Sequence, residues 1–217
     1  MSGLEGKVGR GSTAAWLIAA VLAGLTGAQM ANAQTASGQT GELFAAAMAG
    51  DTAKIETLLA SGVAVDVRDP LGQTALITAA LAGQDGVAGL LVDKGADIKA
   101  RTDKGMTALH AAAFSGDLAV LQLLLSHGAA VNDQDNFAHI TALHAAAEEN
   151  HVDVVKTLIK SGADPALVDV KGYSASTLAG WKQNWDAVQF MVKNGDICQP
   201  EAIAGPWVYK KCTALAS

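Results

Sequence analysis

Apolar residues along the chain fall in short runs at helical spacing, and each run ends at a glycine followed by a polar stretch. Val120, Leu121, Leu124 and Leu125 occupy one face of a helix, as do Val154, Val155, Leu158 and Ile159. Upstream of each run lies a second short segment with a different pattern. It opens on Thr-Ala-Leu or a variant of it and continues through alanine pairs: Ala79-Ala80, Ala112-Ala113 and Ala146-Ala147. Between the two segments stands a glycine or a polar residue, namely Gly50, Gly83, Gly116, Asn150 and Gln183. The pattern predicts pairs of short helices. A Thr or Ser hydroxyl caps the first, small side chains let it pack closely, and a left-handed glycine ends the second. A stretch rich in Asp, Asn and Gly then turns into the next pair.

The pattern repeats. Thr74-Ala75-Leu76, Thr107-Ala108-Leu109 and Thr141-Ala142-Leu143 share one period, and Ser174-Ala175-Ser176 continues it in altered form. The closing glycines, Gly62, Gly95, Gly128, Gly162 and Gly195, keep the same period, with its one longer step at the same place in the chain. Two independent markers in step define an array of supersecondary units. Five units follow, at about 41–71, 72–104, 105–138, 139–171 and 172–197. The outer two are degenerate, as expected where a unit has only one neighbour to pack on.

This unit resembles the ankyrin repeat, a helix pair with a projecting hairpin and a Thr-Pro-Leu-His-x-Ala signature. Ala75, Ala108 and Ala142 stand in the proline position, while His110 and His144 match the histidine. Gly95-Ala96-Asp97 and Gly162-Ala163-Asp164 add to the likeness, which covers about residues 41–197. The resemblance implies an all-α solenoid of about five repeats with hairpin fingers. It also implies that His110 and His144 bond the backbone of neighbouring turns.

One finger departs from its neighbours. The interval from Gly128 to Thr141 is one position longer than those from Gly62 to Thr74, Gly95 to Thr107 and Gly162 to Ser174. The extra residue lies between Ala129 and Ile140. His139 also replaces the glycine found at Gly72, Gly105 and Gly172.

Composition narrows the function. Acidic residues outnumber basic ones by 21 to 15, a net charge of −6. That balance argues against nucleic acid as the main partner, because phosphate binding needs a basic footprint. Half the residues are hydrophobic and 17% are charged, which is too apolar for a disordered chain.

The segment 1–33 reads as a secretory signal. Lys7 and Arg10 precede an apolar stretch from Ala14 to Leu25, and Ala31-Asn32-Ala33 offers the small-x-small cleavage site. Cleavage after Ala33 is expected, then a short linker at 34–40. The apolar core is shorter than a membrane span and is interrupted by Gly24 and Gly27. The expected location is therefore the periplasm, without membrane attachment after cleavage. In an oxidising compartment the two cysteines, Cys198 and Cys212, are expected to pair. Residues 198–217 then form a C-terminal capping tail, with Trp207 expected to cover the open end of the core.

No catalytic constellation is legible: there is no phosphate loop, Gly-x-Ser-x-Gly or His-Glu-x-x-His. Glu148 and Glu149 are adjacent on a helix and so do not face one direction. Residues 132–136 (Asn-Asp-Gln-Asp-Asn) lack the glycine and closing glutamate of a calcium loop. Neither enzyme, cofactor nor metal is expected. His127 precedes a C-cap glycine, His151 lies between helices, and His139 reads as a loop residue.

In the family that the chain resembles, partners dock on the face made by the finger tips and the first helices. Carried over, the tips present Leu71, Met106, Phe137, Ile140 and Tyr173, and the first helices present Met48, Leu81, Phe114 and Trp181. This set is unusually apolar, and Met and aromatic residues are enriched in interface centres. Trp185 and Phe190 fall at core positions of a second helix. The expected role is to bind another protein, such as a periplasmic enzyme or a toxin. The alternative is carriage of a small ligand, haem or lipid, in the aromatic groove.

Overall fold

The computed structural model describes residues 27–216, all helices and turns apart from one isolated β-bridge between Val168 and Ser174. The basic and apolar parts of the expected signal segment lie outside the described residues. The first helix, α1, runs Gly27–Ala49. It includes residues 34–40, the stretch expected to be a short linker. That stretch contains no proline, and the helix continues unbroken to Gly50.

Helix pairs follow at the predicted period. After α1 come α2 (Thr52–Ala60), α3 (Ala75–Leu81), α4 (Asp85–Asp93), α5 (Ala108–Ser115) and α6 (Leu118–Ser126). Then come α7 (Ala142–Glu148), α8 (Val152–Lys160), α9 (Ala175–Trp181) and α10 (Trp185–Lys193). The odd-numbered inner helices α1, α3, α5, α7 and α9 stack on one another in chain order, and the outer helices α2 to α10 form a second row. Inner helices start as their caps demand. Thr74, Thr141 and Ser174 each accept the amide three residues on, from Ile77, His144 and Thr177.

The core is one continuous set of layers. Leu43, Leu76, Leu109 and Leu143 fill the same inner position, each at most 2% exposed, and Leu58, Leu91, Leu124, Leu158 and Met191 fill the matching outer one. The alanines behind them, such as Ala79-Ala80, Ala112-Ala113 and Ala146-Ala147, are fully buried or nearly so. Close approach of the inner helices follows from that small side-chain volume. In the fifth layer the inner leucine is replaced by Ser176.

The tail contains two further helices, α11 (Glu201–Ala204) and α12 (Pro206–Ala216), and α12 packs on both α9 and α10. Cys198 and Cys212 are disulfide-bonded, which anchors α12 to the end of repeat five. The expectation for Trp207 is corrected. Its ring is 55% exposed and lies edge-on against Trp185, while Ala204, Val208 and Cys212 are the side chains buried over the last layer. Helical phase explains this: Val208, Cys212 and the half-buried Leu215 share one face of α12, and Trp207 falls on its flank. Gln199 extends the closure by accepting the Ser174 amide and donating to the Gly172 carbonyl.

Val208 reaches the core through a gap in α9. A Cβ on Gly180 would lie 2.6 Å from a Val208 methyl carbon. Gly180→Ala is therefore expected to lower stability by about 1–3 kcal/mol through overpacking. A melting curve by circular dichroism measures it, and the loss should disappear in Gly180→Ala/Val208→Ala.

Candidate functional site

The fingers are built from one turn used four times. A side-chain oxygen of Asp69, Asn136 or Asp169 accepts the amides two and four residues on, from Leu71 and Gln73, Ala138 and Ile140, and Lys171 and Tyr173. Thr102 does the same more weakly, through the Met106 amide. The residue three on from each of these is left-handed. It is Gly72, Gly105 and Gly172 in three fingers and His139, at φ 53°, in the fourth. The long finger thus keeps the common tip. Its extra residue lies ahead of Asn136, where Asp135 projects with 89% of its side chain exposed.

Adjacent tips hydrogen-bond in a ladder. The amides of Asp103, Phe137 and Val170 donate to the carbonyls of Leu71, Lys104 and Ala138 in the preceding finger. Pro70, which has no N–H to donate, occupies the equivalent position in the first finger, where there is no preceding tip. Below the tips runs a second ladder of long side chains. Arg68 donates to the Gly72 and Arg101 carbonyls. Arg101 donates to those of Gly105 and Asp135 at 3.2 Å, and Gln134 to those of His139 and Val168. Arg101 also grips both oxygens of Asp133, at 2.9 and 2.6 Å. Burial alone would raise the Asp133 pKa, but the two-pronged Arg101 contact and the Asp135 amide bring it below the usual range. The Asn-Asp-Gln-Asp-Asn stretch is therefore committed to inter-repeat bonding. Among the described residues, no group of three or more His, Cys, Asp or Glu is arranged to hold a metal ion.

The nine candidate residues divide into two groups. Met48, Leu81, Phe114, Phe137, Leu71 and Trp181 are exposed, led by Phe137 at 69%. Met106, Ile140 and Tyr173 are half-buried at the finger bases. Met48, Leu81 and Phe114 occupy one position on three successive inner helices, so they form a line with one residue per repeat. Neighbouring helices pack about 10 Å apart. The line stops at repeat four, where Glu148 takes the position and pairs with Lys182 at 3.6 Å. Trp181 stands beyond that break. Its indole N–H donates to the Ala204 carbonyl of the tail at 2.9 Å, and Tyr173 packs edge-on against its ring. These two aromatics belong to the C-terminal closure, separate from the Met48–Leu81–Phe114 line. Trp185 and Phe190 pack half-buried against the core. A shallow concavity among the described residues, lined by Val152, Lys156, Asp186, Gln189, Phe190 and Lys193, lies between the outer helices α8 and α10.

Comparison with known proteins agrees with this geometry. A family model of ankyrin repeats in three copies matches residues 43–135, and a single ankyrin-repeat model matches residues 139–170. Together they cover more than half of the chain. The chain belongs to the ankyrin-repeat family. No curated protein matches it. The matches end at residue 170, yet α9 and α10 repeat the geometry of the ankyrin pairs before them. Ankyrin repeats are scaffolds for protein–protein interaction and are generally non-catalytic.

The signature histidines explain how ankyrin units three, four and five are joined. Nδ1 of His110 and of His144 accepts the amide of Thr107 and of Thr141. Nε2–H of each ring then donates to the carbonyl just before the next repeat's cap, Ile140 at 3.0 Å and Tyr173 at 3.1 Å. Both rings are neutral in this arrangement, and burial lowers their pKa. The sequence places His151 between helices but gives no role to it or to its equivalents Gln84 and Asn184. Gln84, His151 and Asn184 each reach back to a carbonyl at the end of the preceding inner helix: Met48, Phe114, and both Ala147 and Glu148. Their shared distance from the glycine markers was the available signal, but their chemical variety hid it.

Two outcomes follow. Asp133→Asn removes a charged, largely buried partner of Arg101 and should cost about 1–3 kcal/mol in chemical denaturation. The histidines set a pH dependence. Their folded-state pKa lies below the ordinary 6.5, so their contribution is complete above pH 6.5 and is lost as pH falls from there toward the folded value. Between pH 7.5 and 5, His110→Gln/His144→Gln should lose less stability than the parent chain.

Proposed function

We propose that the protein is an exported, periplasmic ankyrin-repeat module that binds another protein and carries out no reaction of its own. The observation that carries this reading is the exposed line of Met48, Leu81 and Phe114 on successive inner helices, faced by finger tips that present Leu71 and Phe137. A water-exposed apolar set of this extent is unusual on a protein that acts alone. Burying a Leu or Phe side chain is worth about 1.5–3 kcal/mol, so a few such residues supply most of the affinity of a specific complex. The fingers suit docking because two hydrogen-bond ladders already fix their tips, so little conformational entropy is lost on binding. Export is supported by the signal-like segment 1–33 and independently by the terminal cysteine pair. Cleavage would remove Glu5, Lys7 and Arg10, so the chain beginning at Gln34 would stay acidic. A periplasmic enzyme protected or restrained by the module, or a toxin neutralised by it, fits this chemistry.

Affinity purification from periplasmic extract with mass spectrometry is expected to recover a discrete partner, and N-terminal sequencing of the bait should read from Gln34. Leu81→Ala/Phe114→Ala/Phe137→Ala should weaken that complex by at least about 30-fold, or about 2 kcal/mol. Its melting temperature should stay close to the parent's, because the three side chains are exposed. Undiminished recovery by the triple variant would remove this face from the interaction.

A further inference from the structure

Repeat five breaks the apolar rule of the array at two places in one layer. The inner core position held by Leu76, Leu109 and Leu143 is taken by Ser176, which is 2% exposed. The residue after the closing glycine, Val63, Ala96, Ala129 or Ala163 in the other repeats, is here Asp196, 6% exposed. Neither carboxylate oxygen of Asp196 has a hydrogen-bond partner of ordinary geometry. This is the layer that the tail covers. Asp196 lies two residues before Cys198, whose disulfide holds α12, and Ser176 lies on α9, against which α12 packs. A buried carboxylate so weakly bonded is costly when charged and much less so when neutral.

We infer that Asp196 makes the C-terminal cap a pH-responsive closure, in which protonation of its carboxylate tightens the tail on repeat five and ionisation loosens it. Burial is the main cause, raising this carboxyl from an ordinary 3.8 to about 6 against the opposing help of Ser176 and the Ile197 amide. The charged group facing it is Asp164, at the turn after α8, which raises it further. Asp186 and Lys193 on α10, Lys182 after α9, Asp153 and Lys160 on α8, and Glu201, Lys210 and Lys211 on the tail are exposed, and the half-exposed Lys156 pairs with Asp153. Residues 170–217 contain no histidine; His144 reaches repeat five from α7, bonding the Tyr173 carbonyl, and burial holds its ring below its ordinary pKa. The sign is fixed by linkage. A carboxyl raised in the closed state favours closure below 3.8 and progressively disfavours it as pH rises toward and through 6. The consequence reaches Trp181, whose indole is hydrogen-bonded to Ala204 of the tail.

Hydrogen exchange of the α12 amides, corrected for intrinsic rates and referenced to α5 and α6, tests this in the full chain with its disulfide intact. An acid moving from about 6 in the closed cap to 3.8 in the open one shifts the opening equilibrium about tenfold between pH 5 and 7.5. The parent chain should show that rise. Asp196→Asn should abolish it, and so should Asp196→Ala, which supplies the residue that repeats two, three and four carry. A flat pH profile in the parent, or a tenfold rise retained in either variant, would overturn the inference.

Discussion

Everything in this structure depends on lateral stacking: each helix pair buries its leucines only against the pairs beside it. No layer is closed within its own repeat. The inner leucines from Leu43 to Leu143 and the outer ones from Leu58 to Leu158 form one core because the alanine faces between them let the helices approach. The polar groups obey the same constraint. Finger amides are satisfied by the preceding finger, the signature histidines by the following one, and Gln84, His151 and Asn184 by the preceding inner helix. Stability is accordingly a sum of neighbour interfaces, and the free ends are where the arrangement is most vulnerable.

The two ends are closed differently. At the first finger Pro70 removes the one amide that would have no preceding acceptor. At the other end the tail substitutes for a missing sixth repeat. Gln199 bonds Ser174 and Gly172, the indole of Trp181 bonds Ala204, and Val208 enters the gap above Gly180. That closure recruits Trp181 and Tyr173, which would otherwise extend the apolar line of Met48, Leu81 and Phe114. The candidate docking surface is therefore centred on repeats one to four, with Phe137 at its rim.

The repeat was legible because stacking imposes one period on every buried position, and a period survives substitution of individual residues. The exposed line was legible for the same reason, since Met48, Leu81 and Phe114 share a register. The tail was not, because its contacts are made once. Nothing in the local pattern says that Val208, rather than Trp207, faces the core until the position of α9 is known. The Arg101–Asp133 clasp escaped notice for a similar cause. Its partners lie a whole repeat apart, and Arg68, at the position equivalent to Arg101, bonds backbone carbonyls instead. The extra residue of the long finger could be confined by counting to 129–140. Only the turn at Asn136 moved it ahead of the tip.

The central claim is that a protein partner sits on the inner-helix and finger face. Site-specific photocrosslinking from that face in the living cell tests it most directly. A photoreactive side chain at Phe114 is compared with one at Lys156, on the outer helix α8. The account predicts a discrete protein adduct from position 114 and none from position 156. No adduct at 114, or an equal one at 156, would contradict it.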